Sequence, residues 1–111
     1  LEDYIGSLFL EAHSSPYMLR SFQVKEEWQT ALSGIVHVDG STRPQTVTKE
    51  MNPRLHSLLT AFEKLTGLPG VINTSFNDYF EPIVATPMDA LRTFSTTGLD
   101  VLILGKHLII K

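Results

Sequence analysis

Cysteine is absent from the 111 residues. Its absence excludes disulfides, a thiolate nucleophile and cysteine-ligated metal, and it suits a reducing compartment, so a cytoplasmic location is expected. No apolar run comes near the roughly 20 residues that a membrane helix needs, and the first residues do not read as a signal peptide, so no membrane partner is expected. Surplus positive charge is missing too. Nine Lys and Arg against twelve Asp and Glu leave a net charge of −3, with a pI near 5.7. That balance argues against nucleic acid as a partner. The glycine-rich phosphate motifs G-x-x-x-x-G-K and G-x-G-x-x-G do not occur, and neither does the nucleophile elbow G-x-S-x-G.

What is present is ordinary globular composition, 42% apolar and 19% charged, in about one domain's length of chain. There is no internal repeat, low-complexity tract or linker. The chain begins at Leu1 and closes directly after an apolar stretch at Lys111, and it reads as a piece of a longer polypeptide.

The stretch Val71-Ile72-Asn73-Thr74-Ser75-Phe76-Asn77 organises the reading. Two β-branched residues running into small polar ones predict a short buried strand that opens into a hydrogen-bonding loop. Ligands of open α/β sheets sit beyond the carboxyl ends of strands, so this loop is a candidate site. A polar loop that satisfies its own backbone is the plainer alternative.

Along the chain, residues 1–10 are weakly helical by spacing and Ser14-Ser15-Pro16 breaks the pattern. Strands are expected over 18–24, 35–38 and 45–48, with a helical turn around Trp28 and a turn at Asp39-Gly40. The clearest element is a helix from Asn52 (cap) and Pro53 to Gly67, with Leu55, Leu58, Leu59, Phe62 and Leu65 on one stripe. Glu81 to Val84 reads as extended. A second capped helix begins at Thr86-Pro87-Met88-Asp89, buries Ala90, Leu91 and Phe94, and ends by Gly98. Strands 101–104 and 107–110, joined by Gly105-Lys106, predict a type II′ hairpin. The fold class is therefore α/β (or α+β), a mixed and partly antiparallel sheet with two to three helices.

Arg43 lies in a bend between expected strands. Its guanidinium is a natural fork for phosphate or carboxylate, although most such arginines are only solvated. His37 and Asp39 are two apart and so share a strand face. They could be an acid–base pair or half of a metal site, but no further ligands stand at suitable spacing.

Three segments together carry more than their separate chemistry. They are Ser15-Pro16-Tyr17-Met18, then the run from His37 through Asp39-Gly40-Ser41-Thr42-Arg43-Pro44 to Val47, then Asn73-Thr74-Ser75-Phe76-Asn77 followed by Glu81-Pro82-Ile83-Val84 and Thr86 to Ala90. In order and spacing they resemble the C-terminal region of the nodulation and antibiotic-tailoring O-carbamoyltransferases, over nearly the whole chain. The resemblance implies part of a YrdC-like domain spanning residues 1–111. That domain would form carbamoyl adenylate from carbamoyl phosphate and ATP for transfer to a hydroxyl of a sugar or antibiotic. An N-terminal, metal-binding part of the ASKHA type (Kae1-like) would be the partner in the same chain, and a metal ion is expected only there. Arg43 would hold phosphate oxygens and Ser75 would bind the same anionic ligand. Asn77 would complete a Ser-x-Asn, with Thr74 and Asn73 nearby; His37 and Asp39 would shape the strand end. Phe80 stands where the family usually has Gly, and Pro44 where an apolar residue is commoner. The family's preceding basic segment and metal-binding half are not in the sequence, so the isolated piece is expected to be inactive. Two other readings stay open: a nonenzymatic nucleotide- or anion-binding module, and a structural docking module able to self-associate through an exposed edge.

Overall fold

The structure is a computed structural model that describes residues 1–111. The chain divides into two compact units, Leu1–Ile72 and Asn73–Lys111. Both mix helices with antiparallel strands, as the fold class anticipated.

In the first unit a 3₁₀ turn, Glu2–Tyr4, runs into the one-turn helix α1, Ile5–Leu8. The strands β1, Phe22–Gln23, and β2, Ser41–Thr42, pair antiparallel, with Phe22 opposite Thr42. Between them lies α2, Glu26–Gln29, which carries Trp28. Leu8, Phe9, Phe22 and Val24 form the buried cluster, with Tyr4, Ile5, Trp28, Leu32 and Val36 packed against it. The helix α3, Pro53–Thr66, has the anticipated ends. The Asn52 side chain accepts from the Leu55 amide, Pro53 opens the first turn, and Gly67 closes the helix at φ 77. The amino terminus donates to the Pro69 carbonyl at 2.8 Å, and the Tyr4 hydroxyl donates to Glu63 at 2.9 Å.

In the second unit, α4, Pro87–Thr96, precedes the strands β3, Val101–Leu104, and β4, His107–Ile110. Leu104 pairs with His107, so the link is two residues. Gly105 has φ 63 and Lys106 has no positive φ, the combination of a type II′ turn. Ala90, Phe94 and Leu102 are the buried cluster, with Phe76, Val84, Leu104 and Ile109 against it.

Several expectations need correction. Val71-Ile72 does not form a strand, and Ile72 is 68% exposed. A β-branched pair makes a strand only when a ladder partner completes its backbone bonds, and none is present. The same reason applies to 35–38, whereas 45–48 makes single backbone bonds to Ser15 and Glu2 that do not extend into a ladder, and the strand expected over 18–24 contracts to β1. On α3 only Leu59 of the apolar stripe is buried, and Leu65 is 87% exposed. On α4 the third buried residue is Thr93, not Leu91, which is exposed. Ala90, Thr93 and Phe94 fall at i, i+3 and i+4, the true inward face.

Candidate functional site

The residues singled out from sequence fall in both units: Arg43 in the first, and Asn73, Thr74, Ser75 and Asn77 in the second.

Arg43 follows β2 directly, and a tight turn fixes where β2 starts. The Gly40 amide donates to the His37 carbonyl at 2.9 Å, and the His37 amide to the Ser41 carbonyl at 2.8 Å. Asp39 Oδ1 accepts from the Ser41 amide at 2.9 Å. His37 Nδ1 lies 3.3 Å from the Ser41 hydroxyl. Gly40 takes φ 78, a conformation that side chains resist. The hydroxyl and amide of Ser41 hold the Asp39 carboxyl below its ordinary range, because both stabilise the charged form. His37 and Asp39 thus serve the turn that delivers Thr42 and Arg43. No group of three or more His, Cys, Asp and Glu residues is placed to hold a metal ion.

Thr42 is buried and Arg43 is exposed. Both line a depression of about 380 Å³ with Met18, Ser21, Ile35 and His37. Its walls mix hydroxyls, one imidazole and one guanidinium with apolar surface, a suitable lining for an anion carrying a small organic group. Met18 sits at φ 55, an unusual conformation for a side chain of its size. Beside the depression's strand, the Thr46 hydroxyl accepts from the Ser15 amide at 2.9 Å, and Gln45 donates to the Pro16 carbonyl at 3.1 Å. Those bonds tie the Ser15-Pro16 segment to the residues after Arg43.

In the second unit Asn73, Thr74 and Ser75 are exposed in irregular backbone and Asn77 is half-buried. Asn77 Nδ2 donates to the carbonyls of Asp78 at 2.9 Å and Glu81 at 3.3 Å. Its Oδ1 is buried without a partner. Asn77 therefore closes its own loop with its amide hydrogens, while Thr74 and Ser75 are exposed. Glu81 supports this loop: its Oε1 accepts from the Asp78 amide at 2.8 Å and from the Thr93 hydroxyl at 2.5 Å. The Val84 amide donates to the Phe76 carbonyl at 3.0 Å, holding the loop's far side. Phe80 does not adopt a positive φ, so the backbone at that position makes no demand for glycine. Its ring meets Tyr79 edge-on, with centroids 4.7 Å apart.

Sequence reasoning gave Thr93 and Ser21 no role and named Met18 only within the Ser15–Met18 segment of the resemblance. A signal existed for Thr93, a polar residue between the apolar Ala90 and Phe94 on the inward face of α4. Met18 and Ser21 reach the depression through tertiary structure, which no local spacing announces.

The model of the family described as "Carbamoyltransferase C-terminus" matches residues 1–111. The chain belongs to that family. This carbamoyltransferase C-terminal region is 39% identical to an uncharacterized protein of Methanocaldococcus jannaschii over the whole chain, which is 22% of that protein. It is 45% identical to the nodulation protein NolO of Bradyrhizobium diazoefficiens over 86% of the chain and 18% of NolO. It is 40% identical to nodulation protein U of Rhizobium tropici over 69% of the chain and 13% of that protein. The carbamoyltransferase region thus spans about a fifth or less of these relatives. No helix in it is long and apolar enough to cross a membrane.

Proposed function

We propose that this region is part of a carbamoyl-adenylate-forming domain of an O-carbamoyltransferase, binding carbamoyl phosphate and ATP. Membership in the carbamoyltransferase C-terminus family supports the transferase lineage. The observation that carries the finer reading is Arg43, exposed at a depression of about 380 Å³ and held there by the 37–41 turn. A guanidinium offers two parallel N–H donors to a phosphoryl group. Ser75, exposed in the second unit, offers by itself a hydroxyl that suits an anionic ligand. Phosphoryl and carbamoyl transfer ask a protein mainly to position anions and offset developing charge, and these residue types do that. Cytoplasmic work, with the remainder of a family-length polypeptide passing the carbamoyl group to a sugar or antibiotic hydroxyl, completes the reading.

Calorimetric titration with ATP and, separately, carbamoyl phosphate tests it on the wild-type chain, Arg43→Ala and Ser75→Ala. Saturable binding by the wild-type chain that Arg43→Ala abolishes is the expected result, and Ser75→Ala reads the second unit's hydroxyl by itself. Binding that both variants retain would refute the assignment of the anion to these residues.

A further inference from the structure

The β3–β4 hairpin has two apolar faces and covers only one of them. Val101 pairs with Ile110 and Ile103 with Leu108, so these four side chains share a face, while Leu102, Leu104 and Ile109 lie on the other. The second face is satisfied, because it packs on Ala90 and Phe94 of α4. On the first, Val101 is 48% exposed, Ile103 62%, Leu108 62% and Ile110 66%. A ladder with one solvated face alternates apolar and polar residues. Val-Leu-Ile-Leu and His-Leu-Ile-Ile do not, and they follow the pattern of strands covered on both sides.

Two arguments select what covers this face. Complete coverage of the four side chains would remove on the order of 400 Å² of apolar surface per copy. Pairing two copies through this face alone would then bury on the order of 800 Å² in total, the size of incidental contacts and not of stable complexes. A covering element within the same polypeptide needs no such area, because tethering removes most of the association cost. The family relatives supply the second argument. The region corresponds to 22% of the archaeal relative and 18% of NolO, so in family-length chains such a hairpin is accompanied by about four-fifths of the polypeptide.

We propose that Val101, Ile103, Leu108 and Ile110 seat an apolar element from the rest of a family-length carbamoyltransferase polypeptide, making the hairpin an internal docking face. The occupant is uncharged where it meets the face, since four hydrocarbon side chains offer a buried charge no partner. This inference stands independently of the adenylation reading.

The test exploits the lack of cysteine. Ile103→Cys and Leu108→Cys place a thiol on opposite strands of the face, and Lys106→Cys places a control at the turn. Maleimide alkylation is followed by peptide mass spectrometry in the 111-residue chain and in the family-length polypeptide that carries it. In the long polypeptide, thiols at 103 and 108 are expected to react at least roughly tenfold more slowly than the control, with denaturant erasing the difference. In the 111-residue chain all three are expected to react alike at every protein concentration. Equal reactivity in the long polypeptide would overturn the proposal. So would protection in the short chain that grows with concentration, which would make a second copy the occupant. Recovery from the source cell of only the 12.4 kDa chain would also overturn it. Two positions on different strands guard against a single substitution that unsettles the hairpin.

Discussion

Gly40 connects backbone conformation to the placement of Arg43. At φ 78 it occupies the left-handed region, and a Cβ there would stand 3.2 Å from the Gln23 Oε1 atom. Gly40→Ala is expected to cost about 1–2 kcal/mol from the left-handed conformation. Denaturant unfolding measures that loss. Weakened anion binding by the folded variant would add that the turn positions the guanidinium, whereas unchanged binding would make the strain local. Asp39 adds a pH dependence. Its folded pKa is depressed by the hydroxyl and amide of Ser41, so its contribution is present above the unfolded carboxylate value and fades as pH falls through the folded one. The 37–41 turn is therefore expected to loosen below roughly pH 4. Amide exchange at Ser41 reads this directly, and Asp39→Asn should remove the pH dependence while weakening the turn at neutral pH.

Elements that close on themselves were legible in the sequence. Helix α4 carries a complete capping box: the Asp89 amide donates to the Thr86 hydroxyl at 3.2 Å, and the Thr86 amide to Asp89 Oδ2 at 3.0 Å. Thr86→Ala is expected to destabilise the helix by about 1 kcal/mol, seen as a lower denaturation midpoint with an unchanged slope. The Thr86 side chain also holds the Asp89 carboxyl below its ordinary value, so the box weakens on acidification, in the same direction as the Asp39 turn. The cap of α3 and the Gly105-Lys106 hairpin were legible for the same reason, because their defining bonds join residues two to four apart. The strands at 35–38 and 71–72 were not. Ile35-Val36 and Val71-Ile72 have strand-like side chains, but a ladder needs a partner whose presence no local pattern encodes. The site divides the same way. Arg43 at the end of a Gly40 turn could be read from sequence, whereas the depression it lines needs Met18 and Ser21, more than twenty residues earlier.

At the scale of the molecule the deciding quantity is charge. Carbamoyl phosphate and ATP are polyanions, and the chain they would meet is itself acidic, with nine Lys and Arg against twelve Asp and Glu. The depression offers one guanidinium, Arg43, beside one imidazole, His37. One guanidinium can hold one phosphoryl group, but catalysis at a nucleotide needs charge stabilisation at both the attacked phosphorus and the leaving group. The 111-residue chain is therefore expected to bind anions weakly and to release no pyrophosphate from ATP in the presence of carbamoyl phosphate. The family-length polypeptide, with the remaining four-fifths of its chain, is expected to release it. A coupled pyrophosphate assay on both proteins, with Arg43→Ala in each, measures this. Arg43→Ala in the long protein should lower turnover by two or more orders of magnitude, the usual effect of losing one charge-stabilising donor. Turnover by the short chain would mean that the cations needed for chemistry lie within these residues, and Arg20 and Lys25, which flank β1, would be the first to substitute.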